Sequence, residues 1–216
     1  MSRHKIVLGI IDPSDYSTAS VTGGSSGFLK NILPYLHEQN VKLFGISLTD
    51  MNPWKTQQLK LGVDFIPICK LKYPSKVPMR LKVLVNYWMN RTRILESGID
   101  LLYIHMPECC LPFLENNKRI PVIYHKHGSA NPVERSKYKY GRSLIFRKWF
   151  DLSLRWIYQK SDWVIAIDRL CYKASVRNGG RGKTSLLMNA VDTNAFRPDS
   201  FAREQRRQQY NLSSNC

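Results

Sequence analysis

The chain has 216 residues, 43% apolar and 23% charged, which suffices for one substantial buried core and excludes an intrinsically disordered polymer. Its 33 Lys and Arg against 16 Asp and Glu leave a net charge of +17, which favours phosphates, anionic headgroups or nucleic acid as partners without choosing among them. Five cysteines, Cys69, Cys109, Cys110, Cys171 and Cys216, form an odd set without C-x-x-C spacing, so neither a disulfide framework nor a zinc ribbon is indicated and a reducing compartment is expected.

The apolar run at 6–11 is too short for a signal h-region and ends on Asp12-Pro13, and no stretch approaches the ~20 residues of a membrane span. The expected location is cytoplasmic, with peripheral contact on the inner face of the membrane. Residues 6–11 read as a strand buried on both faces, as in parallel sheets. A Ser/Thr/Gly-rich loop follows, then a helix from Gly27 with Phe28, Leu29, Ile32, Leu33 and Leu36 at helical spacing, then a strand at 41–48.

The rhythm continues with a strand at 63–68, a helix carrying Leu81, Leu84, Trp88 and Leu95 on one stripe, and strands at 100–105 and 121–127. After these come a helix within 143–159, a strand at 163–167, a helix at 170–178 closed by Gly179-Gly180, and a strand at 185–189. Strands alternating with helices predict an α/β fold with a Rossmann-like, doubly wound, mostly parallel sheet. Residues 70–80 and 135–142 read as basic loops, and the polar stretch after Pro198 as a linker or an opening helix.

In an open parallel sheet, ligands bind beyond the carboxyl ends of the strands. Three loops therefore qualify: Thr22-Gly23-Gly24-Ser25-Ser26-Gly27, His105-Met106-Pro107-Glu108, and His125-Lys126-His127-Gly128-Ser129. Glycine lets backbone N–H groups approach an anion, and the following helix adds its N-terminal dipole, although the loop is not G-x-G-x-x-G and a plain strand-to-helix turn reads equally well. His125 and His127 alternate along a strand and so face one side, where they are either core histidines or the beginning of a metal site. The sequence shows no third and fourth ligand and no D-x-D, so no metal is expected. Gly180-Arg181-Gly182-Lys183-Thr184 suggests a phosphate loop, but Arg177 stands where the first glycine belongs and the segment precedes a strand, so it reads as a basic connection.

Together these positions resemble the N-terminal domain of family 4 glycosyltransferases, whose two Rossmann-like domains face each other in the GT-B arrangement. Thr22-Gly23-Gly24 resembles the family's Gly-Gly loop, with Ser26 where an acidic residue often stands. Asp100 through His105 is similar to its D-hydrophobic-hydrophobic-x-x-H strand, Tyr124-His125-Lys126-His127-Gly128 to its His-Gly strand end, and Ser161 through Asp168 to its A-D-x-V-I-A-x-S. Met188-Asn189-Ala190-Val191-Asp192 and on to Phe196-Arg197-Pro198 resembles the N-G-V-D-x-x-x-F-x-P that closes the first domain, with Ala190 in place of the glycine.

The resemblance implies transfer of a sugar, with retained configuration, from a nucleotide diphosphate-sugar to a glycan or lipid-linked acceptor, with no cofactor. It assigns His127 as the catalytic residue near the sugar, and Gly23, Gly24, His105, Glu108, Lys126 and Gly128 to substrate binding. It makes 1–198 the acceptor-side domain and 199–216 a linker or the start of a donor-binding domain, without which the chain is expected to be inactive. A separate donor-binding domain or subunit and an anionic membrane surface are the expected partners. The membrane surface is read from Phe146, Trp149, Phe150, Trp156 and Tyr158 among Arg142, Arg147, Lys148 and Arg155, which equally fit core aromatics and a solvated charged face.

Two other classes compete. A basic nucleic-acid binder is suggested by the charge and by Lys137-Tyr138-Lys139-Tyr140, but no nucleic-acid module accompanies them, so no nucleic acid is expected. A Rossmann domain for a nicotinamide cofactor lacks its glycine fingerprint and has only Asp50 as a candidate ribose ligand.

Overall fold

The computed structural model of the protein describes residues 5–18, 24–36, 40–49, 51–59, 63–72, 77–115, 120–128, 143–188 and 198–212. The elements run β1 (Val7–Ile11), α1 (Gly24–Ile32) with a tight turn at Leu33–Leu36, β2 (Asn40–Ser47), β3 (Gln57–Gln58), β4 (Asp64–Lys70) and α2 (Met79–Leu95). Then follow β5 (Leu101–Ile104), α3 (Pro107–Cys110), β6 (Val122–Lys126), α4 (Leu144–Lys160), β7 (Trp163–Ala166), α5 (Arg169–Ser175), β8 (Thr184–Leu186) and α6 (Ser200–Gln209).

One eight-stranded sheet has the order β3-β4-β2-β1-β5-β6-β7-β8. Every pairing is parallel except that of the two-residue edge strand β3 with β4. This is the doubly wound α/β architecture the alternation predicts. The chain leaves β1 toward β2 and β4, and later returns to add β5 through β8 on the other side. Strand order therefore reverses between β1 and β5, and the crevice of such a sheet opens at their carboxyl ends.

Period-two alternation sends the central strands' side chains into two cores. One holds Ile11, Phe44, Ile66, Leu102, Ile104, Tyr124 and Val164 with Tyr87 of α2, Cys109 and Cys110 of α3 and Phe150, Leu154 and Ile157 of α4. The other holds Ile10, Val41, Leu43 and Phe65 with Leu29 of α1 and the following Leu33. Cys69, Cys109, Cys110 and Cys171 are buried free thiols, and Cys216 lies outside the described residues.

Several sequence expectations are corrected. Helix α1 starts at Gly24, three residues before Gly27, because the Ser26 hydroxyl anchors its first turn by donating to Asp12 Oδ2 at 2.9 Å. The buried face of α2 is not the Leu81, Leu84, Trp88 and Leu95 stripe. Leu81 and Trp88 are exposed, while Val83, Tyr87 and Ile94 are inside. Apolar periodicity undervalues Tyr87, which is drawn in because its hydroxyl donates to Phe44 O at 3.0 Å, so a polar group enters the core satisfied. On α4, Phe150 and Tyr158 are core, whereas Trp149 and Trp156 are exposed. Strand β3 and the four-residue α3 are not anticipated at all.

The connection from Gly179 to Lys183 is structural, as its position before a strand implies. Gly179 and Gly182 take φ of +107° and +80°, and Lys183 Nζ donates to Gln159 O and Ser161 O at 2.6 and 2.5 Å, tying off the carbonyl end of α4 before β8 begins. The polar tail does form a helix, α6, capped by Asp199 Oδ1 on Ala202 N and burying Arg207. The basic loop at 135–142, Lys137 through Tyr140 and Asp50 lie outside the described residues.

Gly45 of β2 positions the loop that follows β1. A Cβ there would come within 2.5 Å of Ser14 O and 2.6 Å of the Phe65 ring, and neither backbone nor a buried ring can yield cheaply. Gly45→Ala is therefore expected to lower stability by about 3 kcal/mol in a urea titration, the upper end of the usual overpacking cost.

Candidate functional site

The crevice begins where β1 ends. Asp12 is fully buried, and its Oδ2 accepts from Tyr16 Oη at 3.0 Å and Ser26 Oγ at 2.9 Å. Its Oδ1 is buried and without a hydrogen-bond partner. Burial drives the Asp12 carboxyl above its ordinary range, against the lowering effect of the hydroxyls around it. Next to it the loop is pinned to β2 by Ile46 N on Ser14 O at 3.3 Å and Leu48 N on Asp15 Oδ2 at 2.6 Å. Asp12→Ala removes the acceptor of two hydroxyls and is expected to lower stability by about 2 kcal/mol or more, while Asp12→Asn keeps an acceptor oxygen and costs clearly less; equilibrium unfolding of the two variants reads the difference.

Across the switch point, His105 N donates to Ile11 O at 3.4 Å, carrying the end of β5 to the end of β1. The β5–β6 register places Ile104 beside Tyr124, so His105 follows beside His125. His127 is two residues further along the same face. The result is a cluster of three imidazoles. His105 Nδ1 and His127 Nε2 are 2.9 Å apart, Tyr103 Oη is hydrogen-bonded to His125 Nδ1, and the His125 and His127 ring centroids are 4.1 Å apart. Phe28 of α1 covers all three rings at 5.0–6.0 Å. The Nε2 atoms of His105 and His125 are buried and have no hydrogen-bond partner.

Burial first, and the neighbouring imidazoles second, hold His105 well below the usual histidine range. The same causes push His125 down to about 3. Burial and then the Lys126 cation push His127 down to about 4. Near neutral pH the cluster is therefore uncharged, so its nitrogens act as hydrogen-bond donors, hydrogen-bond acceptors and lone-pair ligands. His127 is the least buried of the three, and Gly128 beyond it takes φ +78° with nothing within 4 Å of where a Cβ would stand. Cys171 Sγ donates to Gly128 O at 2.7 Å, fixing that strand end to the start of α5.

The sequence-derived site residues thus separate into two groups. His105, His127, Gly128 and, through α1, Gly24 lie at the crevice; Gly23 lies outside the described residues, as do Thr22 and Ser129. Glu108 and Lys126 are on the opposite face of the sheet, 2% and 1% exposed. Glu108 pairs there with Arg80, whose guanidinium lies over the Phe150 ring at 5.7 Å, and burial pushes the Lys126 amine down to about 8. Sequence reasoning missed Asp12, Tyr16 and Ser26 as a group, although an acidic residue directly after a fully apolar strand was a usable signal. It put His125 and His127 on one face and named His105 at the same edge of the sheet, but did not join the three into one cluster, because only strand pairing brings His105 alongside His125.

The family model for Glycosyltransferase Family 4 matches residues 22–195. The chain belongs to this family. No significant match is found among curated proteins. By structure, this family 4 chain is similar to sucrose-phosphate synthase from Thermosynechococcus elongatus, with a TM-score of 0.70 and 15% identity over 97% of this chain and 53% of that one. It is similar also to the UDP-forming α,α-trehalose-phosphate synthase of Burkholderia vietnamiensis, at a TM-score of 0.60 and 12% identity, covering 97% and 54% of the two chains. Anabaena HepE, solved in complex with UDP-glucose, gives 0.57 and 15% over 97% and 50%. The family 4 chain thus spans about half the length of these GT-B proteins and shares the fold of that half. The stretch 189–197, which carries most of the N-G-V-D-like motif, lies outside the described residues.

Proposed function

We propose that the chain is the acceptor-side half of a retaining glycosyltransferase that moves a sugar from a nucleotide diphosphate-sugar to a hydroxyl of a glycan or lipid-linked acceptor. The observation that carries this reading is the meeting of His105 Nδ1 and His127 Nε2, 2.9 Å apart, at the carboxyl ends of adjacent strands beside the switch point of a family 4 sheet. In the transfer, the bond from the anomeric carbon to the diphosphate oxygen breaks and a bond to the acceptor oxygen forms on the same face. The acceptor proton passes to the departing diphosphate oxygen, and the nucleoside diphosphate leaves. His127, neutral, donates or accepts a hydrogen bond at the sugar and stabilises developing charge by a fixed dipole rather than by a full positive charge. The Gly23-Gly24 loop is assigned to the donor phosphates, and a facing domain supplies the rest of the diphosphate grip. Glu108 and Lys126, being buried, hold the ends of β5 and β6 in place from behind.

Titrating UDP-glucose into the chain while following the His127 and Gly24 resonances tests this reading. Weak, saturable shifts at both are expected. Tighter binding of a nicotinamide dinucleotide or of single-stranded nucleic acid at the same resonances would contradict it.

The acceptor side also bears on the membrane. Ile145, Trp149, Leu152 and Trp156 recur every three or four residues on α4 and are all exposed, with Lys148 and Arg155 beside them. Such a face suits an anionic interface. No helix among the described residues is long and apolar enough to cross a membrane. Neutralising Arg147, Lys148 and Arg155 together is expected to weaken cosedimentation with anionic vesicles about 100-fold, at about 1 kcal/mol per cation. Unchanged cosedimentation would assign α4 to a solvated face.

A further inference from the structure

Two residues that flank the glycine loop in sequence, Tyr16 before it and Ser26 after it, share one carboxylate oxygen. Both hydroxyls donate to Asp12 Oδ2, at 3.0 and 2.9 Å. All three side chains are buried, so water does not compete for the shared oxygen. We propose that Asp12 is the positioning residue of the donor loop: by holding Tyr16 and Ser26 on one oxygen, it fixes the first turn of α1, and with it Gly24, against the end of β1. This role rests on the assignment of the Gly23-Gly24 loop to the donor phosphates.

The base on which this clasp stands is tied to the sheet. Asp12 follows β1 directly, its N donates to Phe44 O at 3.2 Å, and Tyr87 Oη donates to Asp12 O at 3.4 Å. Ser14 O accepts from Ile46 N at 3.3 Å, and Gly45 packs against that oxygen too closely for a Cβ. Asp15 joins Leu48 N, at 2.6 Å, to Ser17 N, at 3.0 Å. Residues 12–17 are therefore anchored on β2, and the start of α1 is joined to them through Ser26, whose Oγ also lies 2.6 Å from Ser14 Oγ.

Ser26 stands two residues beyond Gly24 in the same turn, so a displacement of Ser26 moves the Gly24 N–H with it. The first turn of α1 carries no acidic side chain of its own, and the carboxylate that a helix start favours comes instead from the end of β1. Leu29, fully buried in the second core, keeps the rest of the helix in place. Opening the clasp thus frees the first turn without releasing the helix. Asp12 itself is sealed beneath that turn, so it acts on the donor through Ser26 and Gly24 and not by contact.

The test is the affinity of the full chain for UDP, read from the Gly24 amide resonance during titration. Asp12→Ala should weaken binding about 10-fold, Ser26→Ala about 5-fold and Tyr16→Phe about 3-fold, while Asp12→Asn, which keeps an acceptor oxygen for both hydroxyls, stays within about 2-fold. In the chain combined with a donor-binding domain, the same losses should raise KM for the nucleotide sugar and leave kcat within about 2-fold, a split that partial unfolding does not produce. Circular dichroism of each variant confirms folding, and if Asp12→Ala unfolds, Ser26→Ala and Tyr16→Phe carry the test. A folded Ser26→Ala chain that binds UDP as tightly as the unsubstituted chain overturns the proposal and leaves the donor-loop assignment intact. Equal losses in Asp12→Asn and Asp12→Ala trace the effect to charge instead of the shared hydrogen bonds, and overturn it as well. If UDP leaves the Gly24 resonance of the unsubstituted chain unmoved, the donor-loop assignment fails and the proposal falls with it.

Discussion

His127→Ala, assayed in the chain combined with a donor-binding domain, is expected to lower kcat by about 100-fold while leaving KM for the nucleotide sugar within a few-fold of the unsubstituted chain. The split follows from where His127 is. It directly follows β6 beside an open Gly128, and in the proposed reading it meets the sugar and not the diphosphate, so its interaction grows as charge develops at the reacting carbon and matters little to ground-state binding. His127→Gln, which keeps a polar group at the strand end, should recover part of the rate. Steady-state kinetics of the two variants settles the matter; an increase in KM alone would make His127 a donor-binding residue instead.

Acidification is expected to destabilise the chain steeply between pH 6.5 and pH 4. His105 and His125 are buried uncharged and held below their ordinary value of 6.5, His125 down to about 3. The sign follows from proton counts. Below pH 6.5 the unfolded chain takes up protons on these rings that the folded chain does not, so stability is full above that pH and is lost as the pH falls toward the folded value. At about 1.4 kcal/mol per proton per pH unit, His125 alone removes about 2 kcal/mol between pH 6 and pH 4.5, and His105 adds to the loss in the same direction. His127, partly open to solvent, adds a smaller amount of the same sign. Asp12 works in the opposite direction, since its raised carboxyl favours the folded state as the pH drops, and it offsets part of the loss. Urea midpoints at fixed ionic strength measure the slope, and the double variant His105→Asn/His125→Phe should flatten it.

Much of this architecture is legible before folding. β1, β2, β5, β6 and β7 are short apolar runs because strands covered on both faces need apolar residues at every position, and their alternation with helices leaves few topologies. The pairing of His125 with His127 on one face follows from period two alone. What is not legible has physical reasons. Two glutamines at β3 carry no pattern, and they are a strand only because β4 offers a free edge. Four residues at α3 are fewer than a periodicity can reveal. The third histidine arrives by the β5–β6 register, a non-local fact. Tyr87 takes the core position of α2 because a carbonyl awaits its hydroxyl, and Asp12 is buried because Tyr16 and Ser26 reach it; both depend on partners distant in sequence or folded back by a loop.

The central claim is that these residues provide the acceptor-side half of a glycosyltransferase and that the donor grip comes from a facing domain. Sugar transfer by the purified 216-residue chain, measured alone and again with a donor-binding domain supplied in cis or in trans, tests it most directly. The account predicts no turnover from the chain alone and turnover, dependent on His127, once the second domain is present. Robust transfer by the chain on its own would contradict both the division of labour and the role given to His127.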